Sequence, residues 1–591
     1  MSSRANPVNL DSELTKVKQH LLKSEIARGV KAVGYLKNGA SSCLKNKLGP
    51  CIVKNSTTAI NHGKKVTDSI ADWVTKGFVA GPFVTPPTEN FRVNSILAVP
   101  QPGKLRICLN VSLPENNSLN SNIDKRKLEK VTMSSAKLFS YSIIEAGKDC
   151  LMWKFDFEDA YKNIPIPPEE YYCQGFSWLG RYFVELKQIF GSAASVQNFD
   201  IVGNTLKTIC LSTCKIPSKF VHRQLDDTPL VSPCKENWGD EFAAKYRNLC
   251  KQTGFRLAPN CPNFDKAFEK TNKGKVLGIL FDTKTLSWRL PEEKRVKFSN
   301  ISAKTILSKK SNLTNTQELM GCLNHVAQMN PFLSMFRFCL NKHLAKMISQ
   351  KCSSTDLDQN AIDELRTWHG FFEDTTQWVP IAHPVSHPPQ CTKVFVSDAA
   401  GFPNGTVWRG NLGCGVVGLG ENSDTILTLQ LWWPKKFITT EKDSLGRRFG
   451  NKTATLEQIG IVLPLITIPE KLSNQHIVFR TDNMACVYGH ENGYMKNDAC
   501  ASILIKSVKL IGAYLGSTLY VSHAPRRSDW ATSVADNLSR ETTTGFLEKQ
   551  MLARHSNQKI PSLFVEWLNN PCEDWALPFK LLDIVKQKIK C

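Results

Sequence analysis

The chain has 591 residues, too many for one hydrophobic core, and at 41% hydrophobic and 22% charged it has a globular rather than a disordered or fibrous composition. Its 75 Lys and Arg against 53 Asp and Glu leave a formal charge of +22, which favours a polyanionic partner such as nucleic acid or an anionic membrane surface. The membrane option weakens because no apolar run reaches the ~18 residues of a spanning helix; the best, Ile459 to Ile468, carries a proline and lies beside Glu457.

Residues 1–60 mix basic and small polar residues around an expected helix from Leu14 to Ile26, and read as an N-terminal extension, either a basic arm or a solvated helix face. From about Ile70 the texture changes to short β-rich runs punctuated by Gly-Pro and Pro-Pro: Trp73 to Phe83, Phe91 to Pro100 and Lys104-Leu-Arg106-Ile-Cys-Leu-Asn110. These predict strands of a folded sheet domain. Next comes Met152-Trp-Lys-Phe-Asp156-Phe-Glu-Asp159-Ala-Tyr161, which ends an apolar β-prone run in a carboxylate. Further on, Arg223-Gln-Leu-Asp226-Asp227-Thr sets two adjacent carboxylates where a tight hairpin would present them. Three carboxylates packed without counter-charge would raise one another's pKa, so the natural tenant of such a site is a pair of divalent cations. Ions ~3.5–4 Å apart activate a hydroxyl and stabilise a leaving pyrophosphate in phosphoryl transfer.

Between these two stretches lies Gln188-Ile-Phe190-Gly191-Ser-Ala-Ala-Ser195-Val-Gln-Asn-Phe199. A helix is expected from Phe242 to Gln252, a hairpin around Lys275-Val-Leu-Gly278-Ile-Leu-Phe-Asp282, and a strand leading out through Trp288. The pattern then turns helical and basic to about Ser349, and a Pro- and His-containing linker runs from Ile381 to Gln390.

A new rhythm starts at Lys393-Val-Phe-Val-Ser-Asp398, a hydrophobic β run ending in an acid. Glu457 opens a helical run, Asp482 ends a second β run, and Asp536 sits on a late helix in Ala-Asp536-Asn-Leu-Ser-Arg540. Four acids in the order strand, helix, strand, helix suit two Mg²⁺ ions holding a water in line with a phosphodiester. The 59-residue step from Asp398 to Glu457 is accommodated by a loop insertion from Glu441 to Lys452. His523-Ala-Pro-Arg526-Arg527 stands at a strand end, its arginines open to a phosphate contact. The final residues, 546–591, hold an aromatic-rich helix of unassigned role.

Asp-x-x-Asp-Ala-Tyr followed about 70 residues later by Asp-Asp resembles motifs A and C of the reverse transcriptase palm, and the run from Gln188 to Phe199 resembles motif B. The later acids resemble a ribonuclease H domain, and together they look like the polymerase–ribonuclease H module of an LTR-type or DIRS-like retrotransposon. The resemblance implies an α+β palm/fingers/thumb polymerase followed by an α/β ribonuclease H-like domain. Its divisions fall at 61–290 for fingers and palm, 291–380 for thumb and connection, and 391–545 for the nuclease.

It further implies that Asp156, Asp226 and Asp227 bind metal for DNA synthesis, and that Asp398, Glu457, Asp482 and Asp536 do so for RNA cleavage, with Mg²⁺ or Mn²⁺ as two ions per site. Arg106 grips the incoming triphosphate, unless it is only an exposed strand charge, and Lys104 stands in for a second basic residue where Gln101 replaces it. Tyr161 excludes ribonucleotides, unless it is simply packed in the core. Gly191 lies against the base pair, where a Cβ would not fit; Gln188, Ile189 and Val196 depart from the family's motif and predict a softer turn. Gln224 stands where an aromatic is usual, beside the primer end. His523 assists product departure.

The expected activity is RNA- and DNA-directed DNA polymerisation with hybrid ribonuclease, acting on RNA template, DNA primer, RNA–DNA hybrid and dNTPs. An intracellular setting, cytoplasmic or nuclear, is expected, since Met-Ser-Ser-Arg-Ala-Asn-Pro has no apolar signal core, and the 19 cysteines are expected as reduced thiols. The rival reading is a non-catalytic RNA-binding scaffold with the same domain types.

Overall fold

The computed structural model describes residues 5–101, 104–261, 266–330, 332–374, 378–382, 392–401, 411–434, 453–569 and 572–590. The chain divides into two compact units, Met1–Trp288 and Arg289–Cys591.

In the first unit, helices α1 (Pro7–Val17) and α2 (Lys23–Asn38) replace the single helix expected from Leu14 to Ile26. The Asn6 side chain accepts the N–H groups of Val8 and Asn9 and Pro7 follows at the first helical position, so α1 starts earlier than apolar spacing alone suggests. Leu10, Leu14 and Val17 recur at helical spacing and are buried in one core with Ala32, Leu36 and Ala40 from α2 and the loop after it. At about 1.5–3 kcal/mol for each large apolar side chain, this burial makes the two helices part of the domain rather than an extension or a solvated arm. The Asn6 N–H also donates to the Thr253 carbonyl at 2.7 Å.

A six-stranded sheet comprises β1 (Cys51–Ile52), β2 (Val79–Phe83), β3 (Arg92–Gln101), β4 (Lys104–Asn110), β5 (Gly175–Trp178) and β6 (Arg181–Glu185). A second sheet places β7 (Leu151–Asp156) between β8 (Asp227–Ser232) and β9 (Phe268–Thr271), both antiparallel to it. Trp153 and Phe155 of β7 are buried with Phe199 of α3 (Ala193–Cys214) and Phe242 and Tyr246 of α4 (Trp238–Thr253). The hairpin of β10 (Lys273–Val276) and β11 (Ile279–Asp282) turns through Leu277 and Gly278, both at positive φ, as a two-residue turn with the strands' own twist requires.

The second unit opens with helices α5 (Glu292–Ser308), α6 (Leu313–Ala327), α7 (Phe338–Ser349) and α8 (Gln359–Glu373). Its sheet has five strands: β12 (Lys393–Ala399), β13 (Gly413–Leu419), β14 (Thr425–Trp432), β15 (His476–Thr481) and β16 (Thr518–His523). The order is β14-β13-β12-β15-β16, with the first three antiparallel and β12, β15 and β16 parallel. Helices α9 (Thr453–Thr467), α10 (Met484–Asn492), α11 (Ala499–Tyr514) and α12 (Trp530–Leu538) accompany it. The expected loop insertion, 441–452, lies outside the described residues.

Residues 546–591 are no detached tail. Phe564, Trp567 and Leu568 of α13 (Ser562–Asn569) and Leu577, Leu581 and Val585 of α14 (Leu577–Lys590) are buried in the same core as α9 and α11. Among the described residues no helix is long and apolar enough to cross a membrane, and the cysteines are free thiols.

Candidate active sites

The first site is built on the pairing of β7 with β8, whose register sets Asp156 directly opposite Asp227. The turn is tight: Gln224 and Asp227 exchange backbone hydrogen bonds of 2.9 and 3.0 Å, leaving Leu225 and Asp226 at the tip. Leu225 takes φ 53°, a conformation costing a non-glycine residue about 1–2 kcal/mol, and the Phe157 N–H donates to the Asp226 carbonyl at 3.3 Å. Like charges opposite one another in a sheet repel. Burial is the first cause, and Asp226 and Asp156 add to it, so the Asp227 carboxyl is pushed up to about 6. One cation opposes this: Lys154, two residues before Asp156 on the same face of β7, places Nζ 3.5 Å from Asp227 Oδ1. Sequence reading gave Lys154 no role, although the i, i+2 spacing from Asp156 was its signal.

Tyr161 is 6% exposed and packs edge-on against Phe190 and Phe199, with centroids 4.7 and 5.7 Å away. Burial, and next the Asp226 charge, push its hydroxyl up to about 12, so the ring is in the core and also within the field of the carboxylates. The Arg106 guanidinium lies over the Phe190 ring at 4.8 Å, which brings Arg106, Phe190 and Tyr161 together. The side chain of Lys104 lies outside the described residues.

Gly191 has φ +95°, and a Cβ there would meet the Leu109 carbonyl oxygen at 3.2 Å. Hydrogen bonds brace the turn. Asn120 donates to the Gly191 carbonyl at 2.7 Å and accepts from the Ala193 N–H at 3.0 Å, while Ser195 Oγ donates to the buried Gln188 side chain at 2.9 Å. Gln224 enters the site through its backbone pairing with Asp227.

Arg223, also unassigned from sequence, is buried with its guanidinium 5.0 Å from the Phe199 ring centre and its Nη2 donating to the Phe199 carbonyl at 3.3 Å. Gly203 makes room for it on α3, because a Cβ there would stand 1.9 Å from Arg223 Cζ.

In the second unit, Asp398 lies on β12, Glu457 on α9, Asp482 directly after β15 and Asp536 on α12. Glu457 is anchored at both oxygens, Oε1 accepting from the Ala399 N–H and Oε2 from Thr481 Oγ1, each at 3.1 Å. Carboxylate oxygens of Asp398, Glu457 and Asp482 all lie within 4.8 Å of one another. Burial first, then the charges of Asp398 and Asp482, hold the Glu457 carboxyl well above the usual range. Burial also raises Asp398, against Ser539, Arg540 and Arg526. An all-oxygen set of three carboxylates fits a hard divalent cation such as Mg²⁺ or Mn²⁺.

Asp536 does not join that group. Its carboxylate pairs with Arg540 and, at 2.7 Å, with Arg527, while Arg526 reaches it at 3.5 Å. Arg540, to which the sequence assigned no role, stands four residues after Asp536 and just past the end of α12, in extended backbone that pairs with Leu412. Exposed His523 closes β16 opposite Thr481, the neighbour of Asp482.

No protein-family model and no curated protein matches the chain. Among solved structures it is similar to a foamy viral protease-reverse transcriptase in complex with double-stranded DNA, with 13% identity over 88% of this chain and 83% of that one, and a TM-score of 0.46. A foamy viral protease-reverse transcriptase in complex with RNA/DNA hybrid gives 13% identity over 87% of this chain and 62% of that one, with a TM-score of 0.46. For the native prototype foamy virus protein the values are 14%, 85%, 79% and 0.32.

Proposed function

We propose that this chain is an RNA- and DNA-directed DNA polymerase with an RNA–DNA hybrid ribonuclease, a module of the reverse transcriptase–ribonuclease H kind. The observation that carries the reading is the β7–β8 pairing, which sets Asp156 opposite Asp227 and puts Asp226 at the hairpin tip, with Tyr161 and Arg106 sharing one aromatic contact behind it. Divalent cations bound by Asp156, Asp226 and Asp227 would activate a primer 3′-hydroxyl and stabilise the leaving pyrophosphate. The protein's own part is positioning and charge: Arg106 meets the triphosphate, the Tyr161 ring bounds the sugar pocket, and Gly191 lets the backbone approach the new base pair. In the second unit Asp398, Glu457 and Asp482 would hold a divalent cation against the RNA phosphodiester, and His523 would assist departure of the product. The net charge of +22 suits a template–primer as partner.

The test is primer extension on an RNA template with Mg²⁺ and dNTPs. Asp226→Asn is expected to abolish extension while template–primer binding stays near normal; undiminished extension by that variant would refute the assignment of the first site.

A further inference from the structure

The four acids of the second unit are not equivalent, and the arginines around them separate their roles. Asp398 has two differently placed oxygens. Oδ2 accepts from Ser539 Oγ at 2.6 Å and from Arg540 Nη1 at 3.1 Å, whereas Oδ1 faces Arg526 Nη2 at 3.4 Å. Asp536 is taken up on both sides, Oδ1 by Arg540 and Oδ2 by Arg527. Arg540 Nη1 is itself held further, 3.0 Å from the Asp536 carbonyl oxygen and 2.8 Å from Ser539 Oγ.

We propose that Arg540 is a resident cation of the nuclease site, standing between Asp398 and Asp536 where a second divalent ion would otherwise sit, so that this site takes one ion rather than two. The inference rests on the reading of Asp398, Glu457 and Asp482 as metal ligands, and adds the ion count and the role of Arg540.

Burial decides which arginine stays. The Arg540 side chain is 16% exposed, over carboxylates that are 7% and 4% exposed. Withdrawing it would take from both buried carboxylates the cation they share, leaving Asp398 Oδ2 with Ser539 and Asp536 with Arg527, a destabilising change. Arg526, 49% exposed, spans Asp398, Asp482 and Asp536 from the solvent side and can swing out at little cost. An ion seated on Asp398 Oδ1, Glu457 and Asp482 therefore displaces Arg526 alone. A second ion would need Asp398 Oδ2 and Asp536, where it would meet the Arg540 guanidinium, whose Nη1 lies against both carboxylates. Arg540 is thus a positioning residue: it holds the orientation of Asp398 and supplies fixed positive charge beside the attacked phosphate.

The test counts bound Mn²⁺ by electron paramagnetic resonance in the full chain, for wild type, Asp398→Asn, Arg540→Lys and Arg540→Ala. Ions of the first unit are common to all four and cancel. Wild type and Arg540→Lys are expected to bind one ion more than Asp398→Asn, and Arg540→Ala two more. A wild-type excess of two overturns the inference alone, and so does an Arg540→Ala variant that keeps the wild-type unfolding temperature without gaining an ion. No difference between wild type and Asp398→Asn overturns the metal reading itself and this inference with it. Should Arg540→Ala fail to fold, the wild-type count still decides.

Discussion

The hairpin of the first unit and the sheet of the second each gather acidic side chains, and they differ in what stands opposite the charge. Beside Asp156, Asp226 and Asp227, Lys154 stands 3.5 Å from Asp227, while Arg223 is turned into the helix packing against Phe199. Around Asp398 and Asp536 three arginines make direct contacts, and Glu457 is held by a backbone N–H and a threonine hydroxyl. At the short hairpin, burial and the neighbouring charges of Asp226 and Asp156 raise the Asp227 carboxyl against the pull of Lys154. A buried sheet-and-helix site must satisfy its acids within the fold.

The largest effect that can break this comparison is expected from Glu457→Gln. Loss of this ligand should lower hybrid cleavage by about a thousandfold or more while primer extension is unchanged, since no residue of the first unit's site is touched. Cleavage within tenfold of wild type would remove Glu457 from the chemistry.

Next in size is a pH effect that sharpens the account of the second unit. Buried Glu364 accepts the Cys339 and Leu340 N–H groups at 3.1 and 3.0 Å, and burial first of all pushes its carboxyl up to about 7. Between the ordinary value near 4.5 and 7 the unfolded chain gives up this proton while the folded chain keeps it. The unfolded state then binds fewer protons, so the stability contributed by Glu364 falls as pH rises through that window, by up to about 3 kcal/mol. Thermal unfolding followed from pH 4.5 to 8 should show a flatter profile for Glu364→Gln; an unchanged slope would assign the effect elsewhere.

In the first unit, Gly203→Ala should cost about 1–3 kcal/mol, because the new methyl would overlap the buried Arg223 guanidinium. Denaturant unfolding measures it, and a neutral result would show that Arg223 can move aside. The smallest effect concerns Tyr161, 4.7 Å from Phe190. Tyr161→Val should weaken discrimination against ribonucleotides by about 10–100-fold with dNTP incorporation largely kept. Unaltered discrimination would leave Tyr161 as a packing residue.

Much of this arrangement was legible in the residues. Hydrophobic β runs placed Asp398 and Asp482 at strand ends, the apolar flanks of Asp226-Asp227 indicated the tight hairpin, and Glu457 and Asp536 fall on helices. The parts that were not legible are those in which a residue's partner is distant in sequence. The stripe Leu10, Leu14, Val17 says that a helix is buried but not that its partners are Phe199 and Phe242, so α1 and α2 read as an extension, and α13 and α14 likewise read as a tail. Asp536 carries the same side chain as Asp398 and Asp482, and only its place in the fold, against Arg527 and outside the 4.8 Å group, sets it apart. Arg223 could not be read at all, because the space for it is provided by Gly203, twenty residues away.

The central claim is that the chain holds two independent phosphoryl-transfer sites, one in each unit. Its most direct test follows a labelled RNA template annealed to a DNA primer, with Mg²⁺ and dNTPs, in wild type, Asp226→Asn and Glu457→Gln. Wild type should extend the primer and cut the RNA, Asp226→Asn should cut without extending, and Glu457→Gln should extend without cutting. Extension by Asp226→Asn at the wild-type rate, or loss of both activities in either single variant, would contradict it.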